Sequence, residues 1–221
     1  EANAVKYDSA IPFKQAAMFE PSTVALHGIL DSGYRGGGYV AVLGCGTIGI
    51  FTAQWARIFG SRKVVVFDID NGRLELAMSM GADAVVNTSE KDYPEKAMKL
   101  TDGKGYDFVF EAAGNTQTMH MAFEVAANKA KVCFIGTPQT DISFTRGEWE
   151  RMNRKEFQLT GSCAPFPGRE WDLTAHYFST GQLKFDDAFI FRQYPMSQVR
   201  EAFNLFYNPK QVHGKILLVN D

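Results

Sequence analysis

The stretch VLGCGTIG, Val42–Gly49, decides the fold. It joins an apolar run, YVAVLG (Tyr39–Gly44), to an amphipathic run that ends at Gly60, so Gly44, Gly46 and Gly49 form GxGxxG at a strand-to-helix junction. Each glycine has its own task. The first permits a tight turn, the second lets the backbone approach a pyrophosphate, and the third lets helix and strand pack closely. Thr47 and Ile48 complete the loop, and the free amides of the helix start point at the phosphates. Because glycines also mark ordinary turns, the motif needs its flanking strand, its helix and a later acid to count as a dinucleotide fingerprint.

That acid is Asp68, at the end of the second apolar run, KVVVFD, close to the expected spacing of roughly 20 residues beyond the glycine loop. A carboxylate there accepts hydrogen bonds from the adenosine ribose hydroxyls and repels a 2′-phosphate, so NAD is expected over NADP. Asp68 could instead cap the helix beginning near Asn71, but Asp70 is better placed for that. Arg73 is expected to cover the adenine face or the ribose.

Outward from this nucleus, DAVVN, DFVFEAAG, KVCFIG and FQLTGS are four further short apolar runs separated by helical patterns or turn signals. Six strands so separated predict an α/β fold: a doubly wound, parallel, six-stranded Rossmann sheet of order 3-2-1-4-5-6. Ligands bind beyond the carboxyl ends of such strands. Ala113 in EAAG, then Ile135, Gly136 and Thr137, then Ser162 and Cys163 are therefore candidates to reach a nicotinamide through their backbones, with ordinary turns as the equal alternative. The predicted organisation is a leading segment and linking helix over 1–34, the NAD-binding domain over 35–163 and a C-terminal α/β tail over 164–221.

Composition sets the outer bounds. The chain has 221 residues, 45% hydrophobic, 18 of them phenylalanine, with a formal net charge of −2. Disorder is excluded, and the electrostatic footprint of a nucleic-acid binder is missing. No apolar run reaches the roughly 20 residues that span a bilayer, and no secretory signal pattern opens the chain, so a cytoplasmic protein is expected. Cys45, Cys133 and Cys163 have no CxxC spacing, which predicts neither a disulfide framework nor a zinc ribbon. His27, His120, His176 and His213 share no metal-ligand spacing and read as packing or surface residues. Met78 with Met80 and Phe203 with Phe206 read as core. The start at Glu1 rather than methionine is read as the loss of an upstream segment.

Several segments in order carry a family resemblance: AAMFEPSTVALHGI, GCGTIG, VVVFDIDNGRLELAMSMGADAVVN, EAAGN and HGKILLV. Through them the chain resembles the zinc-dependent medium-chain alcohol and polyol dehydrogenases. FEPSTVALH and GSCAPFPGREWD are similar to the sorbitol and galactitol-1-phosphate dehydrogenase branch. The resemblance implies hydride transfer from a polyol or polyol phosphate to NAD, assisted by zinc. It also implies that Glu20, in the EP motif, belongs to the zinc environment; the innocent reading is a favourable charge at a helix start. The family's other zinc ligands come from an N-terminal GroES-like domain that nothing here matches, so an incomplete zinc site and an inactive isolated chain are expected.

One departure bears on the substrate. The arginine that sorbitol dehydrogenases carry after the sixth strand is replaced here by Ala164, which argues against sorbitol itself; Arg169 or Arg146 could serve a phosphorylated polyol. Relatives of this family dimerise through the edge of the sixth strand, so a homodimer or homotetramer is expected. Two other functions fit the glycine loop: an NAD(H)-sensing module without catalysis, and a zinc-free quinone or enoyl reductase, which Glu20 and Asp68 together oppose.

Overall fold

The computed structural model describes residues 4–185, 187–206, 212 and 214–221, leaving His213 and the side chain of Phe206 outside the described residues. After a short helix α1 (Phe13–Ala16), α2 (Phe19–Asp31) starts with Glu20 and Pro21 in its first turn, both suited to a helix N-terminus. The sheet region then runs β1 (Tyr39–Leu43), α3 (Thr47–Ile58), β2 (Lys63–Asp68), α4 (Asn71–Ser79), β3 (Ala84–Asn87) and α5 (Tyr93–Lys99). It continues with β4 (Tyr106–Glu111), α6 (Thr116–Val125), β5 (Ala126–Phe134), α7 (Arg146–Lys155) and β6 (Gln158–Gly161). The tail holds α8 (Arg169–Ser179), β7 (Ile190–Pro195), α9 (Val199–Phe206) and β8 (Lys215–Val219).

The six strands pair in parallel in the order β3-β2-β1-β4-β5-β6, as the sequence predicts. Strands buried on both faces need apolar side chains at every position rather than alternate ones, and all five residues of β1 are buried. Successive residues serve opposite faces. Val40, Val42, Val64, Val66 and Phe110 pack under α2, α3 and α8, while Ala41, Leu43, Val65, Phe67 and Val109 pack under α5 and α6.

The first of these cores is continuous across residues 34 and 163. It takes in Ile11, Phe19, Leu26 and Tyr34 from the leading segment and Phe178, Phe185, Phe189 and Leu217 from the tail. Polar clasps reinforce this packing. The Gln54 amide both donates to the Lys184 carbonyl at 3.1 Å and accepts from its amide at 2.7 Å. His27 on α2 bridges Asp31 at 3.1 Å and Glu170 on α8 at 2.9 Å.

Apolar pattern alone does not assign the strands of the predicted α/β tail to a sheet. β7 and β8 form a separate two-stranded parallel sheet, not an extension of the large one. β5 begins earlier than the KVCFIG run, directly at the end of α6. Its first residues bend through Lys129 (φ 61°), and the register against β4 shifts between Tyr106 and Phe108. A bulge of this kind hides a strand start from any two-residue periodicity. The core expectation fails for two residues: Met80 is buried, but Met78 is 44% and Phe203 57% exposed. Two positions apart at the end of α4, where Met80 is the C-cap, the two side chains point to opposite sides. No described helix is long and apolar enough to cross a membrane.

Candidate functional site

The carboxyl ends of β1, β2 and β4 open onto one cleft of about 290 Å³. It is lined by Gly44, Gly46, Asp68, Arg73 and Ala113 among the predicted residues, and by Cys45, Ile69, Thr88, Asn115, Gln117 and Thr118 among those not predicted. Gly44 has φ 101°, and a Cβ on it would fall 2.8 Å from that of Ala113. A Cβ on Gly49 would lie 1.9 Å from the Gly44 carbonyl oxygen, so helix and strand touch there as the third glycine requires. A Cβ on Gly46 would meet nothing within 4 Å. Protein packing therefore does not demand glycine at 46. The space beside its Cα is open, so a phosphate can approach the backbone there. The start of α3 has no side-chain cap, so its first amides are free for an anion.

Asp68 sits at the rim of the cleft. Its Oδ2 accepts from the Cys45 amide at 2.8 Å, and its Oδ1 from the amides of Ile69 at 2.8 Å and Asp70 at 3.1 Å. Asp70, not Asp68, caps α4 by accepting from the Arg73 amide at 3.0 Å. The Arg73 guanidinium donates to the Val212 carbonyl at 3.3 Å, so the tail holds this residue at the cleft. The Cys45 thiol donates to the Arg73 carbonyl. Burial, aided by the Asp68 carboxylate, pushes this thiol up to about 12, which keeps it protonated and unreactive.

Sequence reasoning missed the acid on the other side. Glu111 ends β4 and is fully buried. Its Oε1 accepts from the Ala113 and Gly114 amides, each at 2.9 Å, and from the Thr118 hydroxyl at 2.7 Å. Its Oε2 is buried without a partner. Burial raises its carboxyl above the ordinary range against the pull of those three hydrogen bonds. The available signal was an acid inside DFVFEAAG, where a buried strand offers no reason for a charge.

The remaining predicted residues divide. Thr47, Ile48 and Gly49 form the first turn of α3 beside the cleft. Gly136 and Thr137 back against Gly114 so closely that a Cβ on Gly136 would lie 2.3 Å from the Gly114 amide nitrogen. Ile135, Gly136, Thr137, Ser162 and Cys163 lie outside the cleft lining. The Ser162 amide donates to the Phe134 carbonyl and its hydroxyl to Asp31 at 3.1 Å. Glu20 is exposed on the first turn of α2. Among the described residues, no three His, Cys, Asp or Glu side chains gather as a metal site needs. Arg146 pairs with Glu150 on α7, and neither Arg146 nor Arg169 lines the cleft.

Residues 47–175 match the sequence profile described as zinc-binding dehydrogenase. Over 222 aligned residues the chain is 29% identical to galactitol 1-phosphate 5-dehydrogenase of Escherichia coli, covering 98% of this chain and 63% of that protein. The crystal structure of the Escherichia coli galactitol-1-phosphate dehydrogenase superposes with a TM-score of 0.86, covering 95% of this chain and 61% of that one. L-threonine 3-dehydrogenase of Bacillus licheniformis is 27% identical over 99% of this chain and 61% of its own length. A zinc-binding dehydrogenase from Sinorhizobium meliloti, bound to NADP, is 25% identical with a TM-score of 0.85, covering 97% of this chain and 62% of that one. The chain thus spans about three fifths of the length of these relatives.

Proposed function

The chain belongs to the zinc-binding dehydrogenase family, and from that premise we propose that its cleft binds NAD(H). On this reading the chain is the cofactor-binding portion of an oxidoreductase acting on a secondary alcohol of a polyol or polyol phosphate. The observation that carries the cofactor reading is the pairing of open space over Gly46 with the Asp68 carboxylate at the same rim. Gly44, Gly46 and the uncapped start of α3, Thr47 to Gly49, would hold the pyrophosphate. Asp68 would accept from the ribose hydroxyls and exclude a 2′-phosphate, with Arg73 over the adenosine. Ala113, Ile135, Gly136, Thr137, Ser162 and Cys163 would present backbone groups towards the nicotinamide half. Bound NAD supplies the hydride acceptor.

Zinc does not fit the described residues alone, because no three His, Cys, Asp or Glu side chains gather among them and a catalytic zinc takes three protein ligands. In our reading Glu20 joins a zinc environment whose other ligands lie in parts of the longer relatives that this chain does not cover. Support for a polyol phosphate is the likeness to the galactitol enzyme together with Ala164 where sorbitol dehydrogenases carry arginine. β6 forms the sheet edge, with Leu159 41% exposed, and pairing of two such edges would give the homodimer.

Titration calorimetry tests the core of this proposal. NADH should bind the chain and NADPH should bind more weakly, and replacing Asp68 by alanine should reduce that discrimination. A folded chain that takes up neither nucleotide sinks the proposal.

A further inference from the structure

Glu111 is the one fully buried carboxylate in the described core, and the cofactor contacts assigned above give it no task. A strand that needed only stability would carry an apolar residue here, as it does at Phe108, Val109 and Phe110. A buried acid costs free energy unless all its polar atoms are paired, and Oε2 is not.

Its contacts explain the expense. The side chain accepts from Ala113 and Gly114, which fixes the turn after β4, and from Thr118, which fixes the start of α6. The backbone carbonyl of the same residue accepts from the amides of Ile135 at 2.9 Å and Gly136 at 3.0 Å, which fixes the turn after β5. Oε2 lies directly beneath Gly136, where an added Cβ would come within 2.6 Å of it. One residue therefore fastens two neighbouring turns to each other.

The geometry points to Glu111 as a positioning residue for the nicotinamide half of the cofactor: it sets the spacing of the 112–114 and 135–137 turns on which that half rests. This inference rests on the NAD(H) reading above. The strand ladder sets Glu111 beside Leu43, just before the glycine loop, but its side-chain hydrogen bonds all stay on the Ala113, Gly114 and Thr118 side. Asp68 and the Cys45 amide hold each other on the opposite side. The influence of Glu111 should accordingly fall on one end of the dinucleotide and spare the other. Burial raises the carboxyl despite three hydrogen bonds that pull it down, so the site bears a cost for holding these turns.

The test is calorimetry on the full chain with two ligands, NADH and ADP, the second occupying only the adenosine end. Glu111→Leu removes the acceptor and should weaken NADH about tenfold while leaving ADP within about twofold. Glu111→Gln keeps a neutral acceptor at Oε1 and should bind both ligands within about twofold of the unsubstituted chain. If the leucine variant does not fold, Glu111→Asp, which withdraws the carboxyl from all three donors, should show the same selective loss. Equal weakening of NADH and ADP, or no change in either, overturns the inference while leaving the cofactor reading intact. An unsubstituted chain that binds ADP and NADH no better than a glycine-loop variant overturns both.

Discussion

At the β1–α3 junction the rim of the sheet is made of backbone, with Gly44 and Gly49 where a side chain would collide, whereas at the ends of β4 and β5 it is fastened by one residue, through the carboxyl and the backbone carbonyl of Glu111. Gly44 and Gly49 are confined by neighbouring atoms, and Gly46 faces open space. On the other side, Glu111 gathers amides from two turns and a hydroxyl from a helix. The first construction leaves its amides free for an anion. The second consumes the amides of Ala113, Gly114, Ile135 and Gly136 internally, leaving to a ligand its shape and its remaining backbone groups. Two adjacent parts of one cleft can thus divide the work, one binding charge and the other setting position.

The largest expected effect separates two glycines only three residues apart. Gly49→Ala drives a methyl into the Gly44 carbonyl and should cost about 3 kcal/mol of stability, measured by denaturant unfolding. Gly46→Ala meets no protein atom and should leave stability within about 0.5 kcal/mol, yet abolish most NADH binding. Were both variants equally unstable, the claim that Gly46 serves a ligand would fail. Next comes Asp68→Ala, which should weaken NADH by about 2 kcal/mol, or roughly thirtyfold, and narrow the gap to NADPH. Asp68→Asn retains an acceptor for the Cys45 amide and isolates the charge; if it behaves as wild type, the carboxylate is only a loop brace. On the opposite side, Thr118→Val removes one of three donors to Glu111 and should cost about 1 kcal/mol of thermal stability, while ADP binding stays unchanged.

The division also explains what could be read in advance. The sheet order, the helix starts and the glycine loop are local signals: apolar runs, turn residues and capping acids within a few positions of each other. Asp70 as the cap of α4 followed from such spacing, and the structure places its side chain on the Arg73 amide. Glu111 was not legible because its partners come from three separate segments. Nothing in EAAG announces that Ile135 and Gly136, more than twenty residues later, will donate to its carbonyl. The start of β5 was missed for a related reason, since a bulge breaks the periodicity on which strand reading depends. The tail strands are apolar enough to be recognised but, among the described residues, pair only with each other. Their place was set by contacts such as Gln54 with Lys184, which join residues distant in sequence.

The smallest effect bears most directly on how Glu111 is held. Its carboxyl is raised in the folded chain, so as pH rises past the ordinary carboxylate value the unfolded chain loses this proton while the folded chain keeps it. Folding stability from this group is therefore fully present below the unfolded pKa and is lost progressively as pH climbs through the raised folded value. Glu111→Gln cannot titrate. Comparing unfolding free energies of the two proteins from pH 4 upward should show the wild type falling relative to the variant, with the gap levelling off once the folded carboxyl ionises. A constant gap would mean that the three hydrogen bonds to Oε1 offset burial and that the residue is ionised when folded. Glu111 would then fasten its turns as an anion, and the contrast with the free amides of the glycine loop would become one of opposite charge rather than of binding against shape.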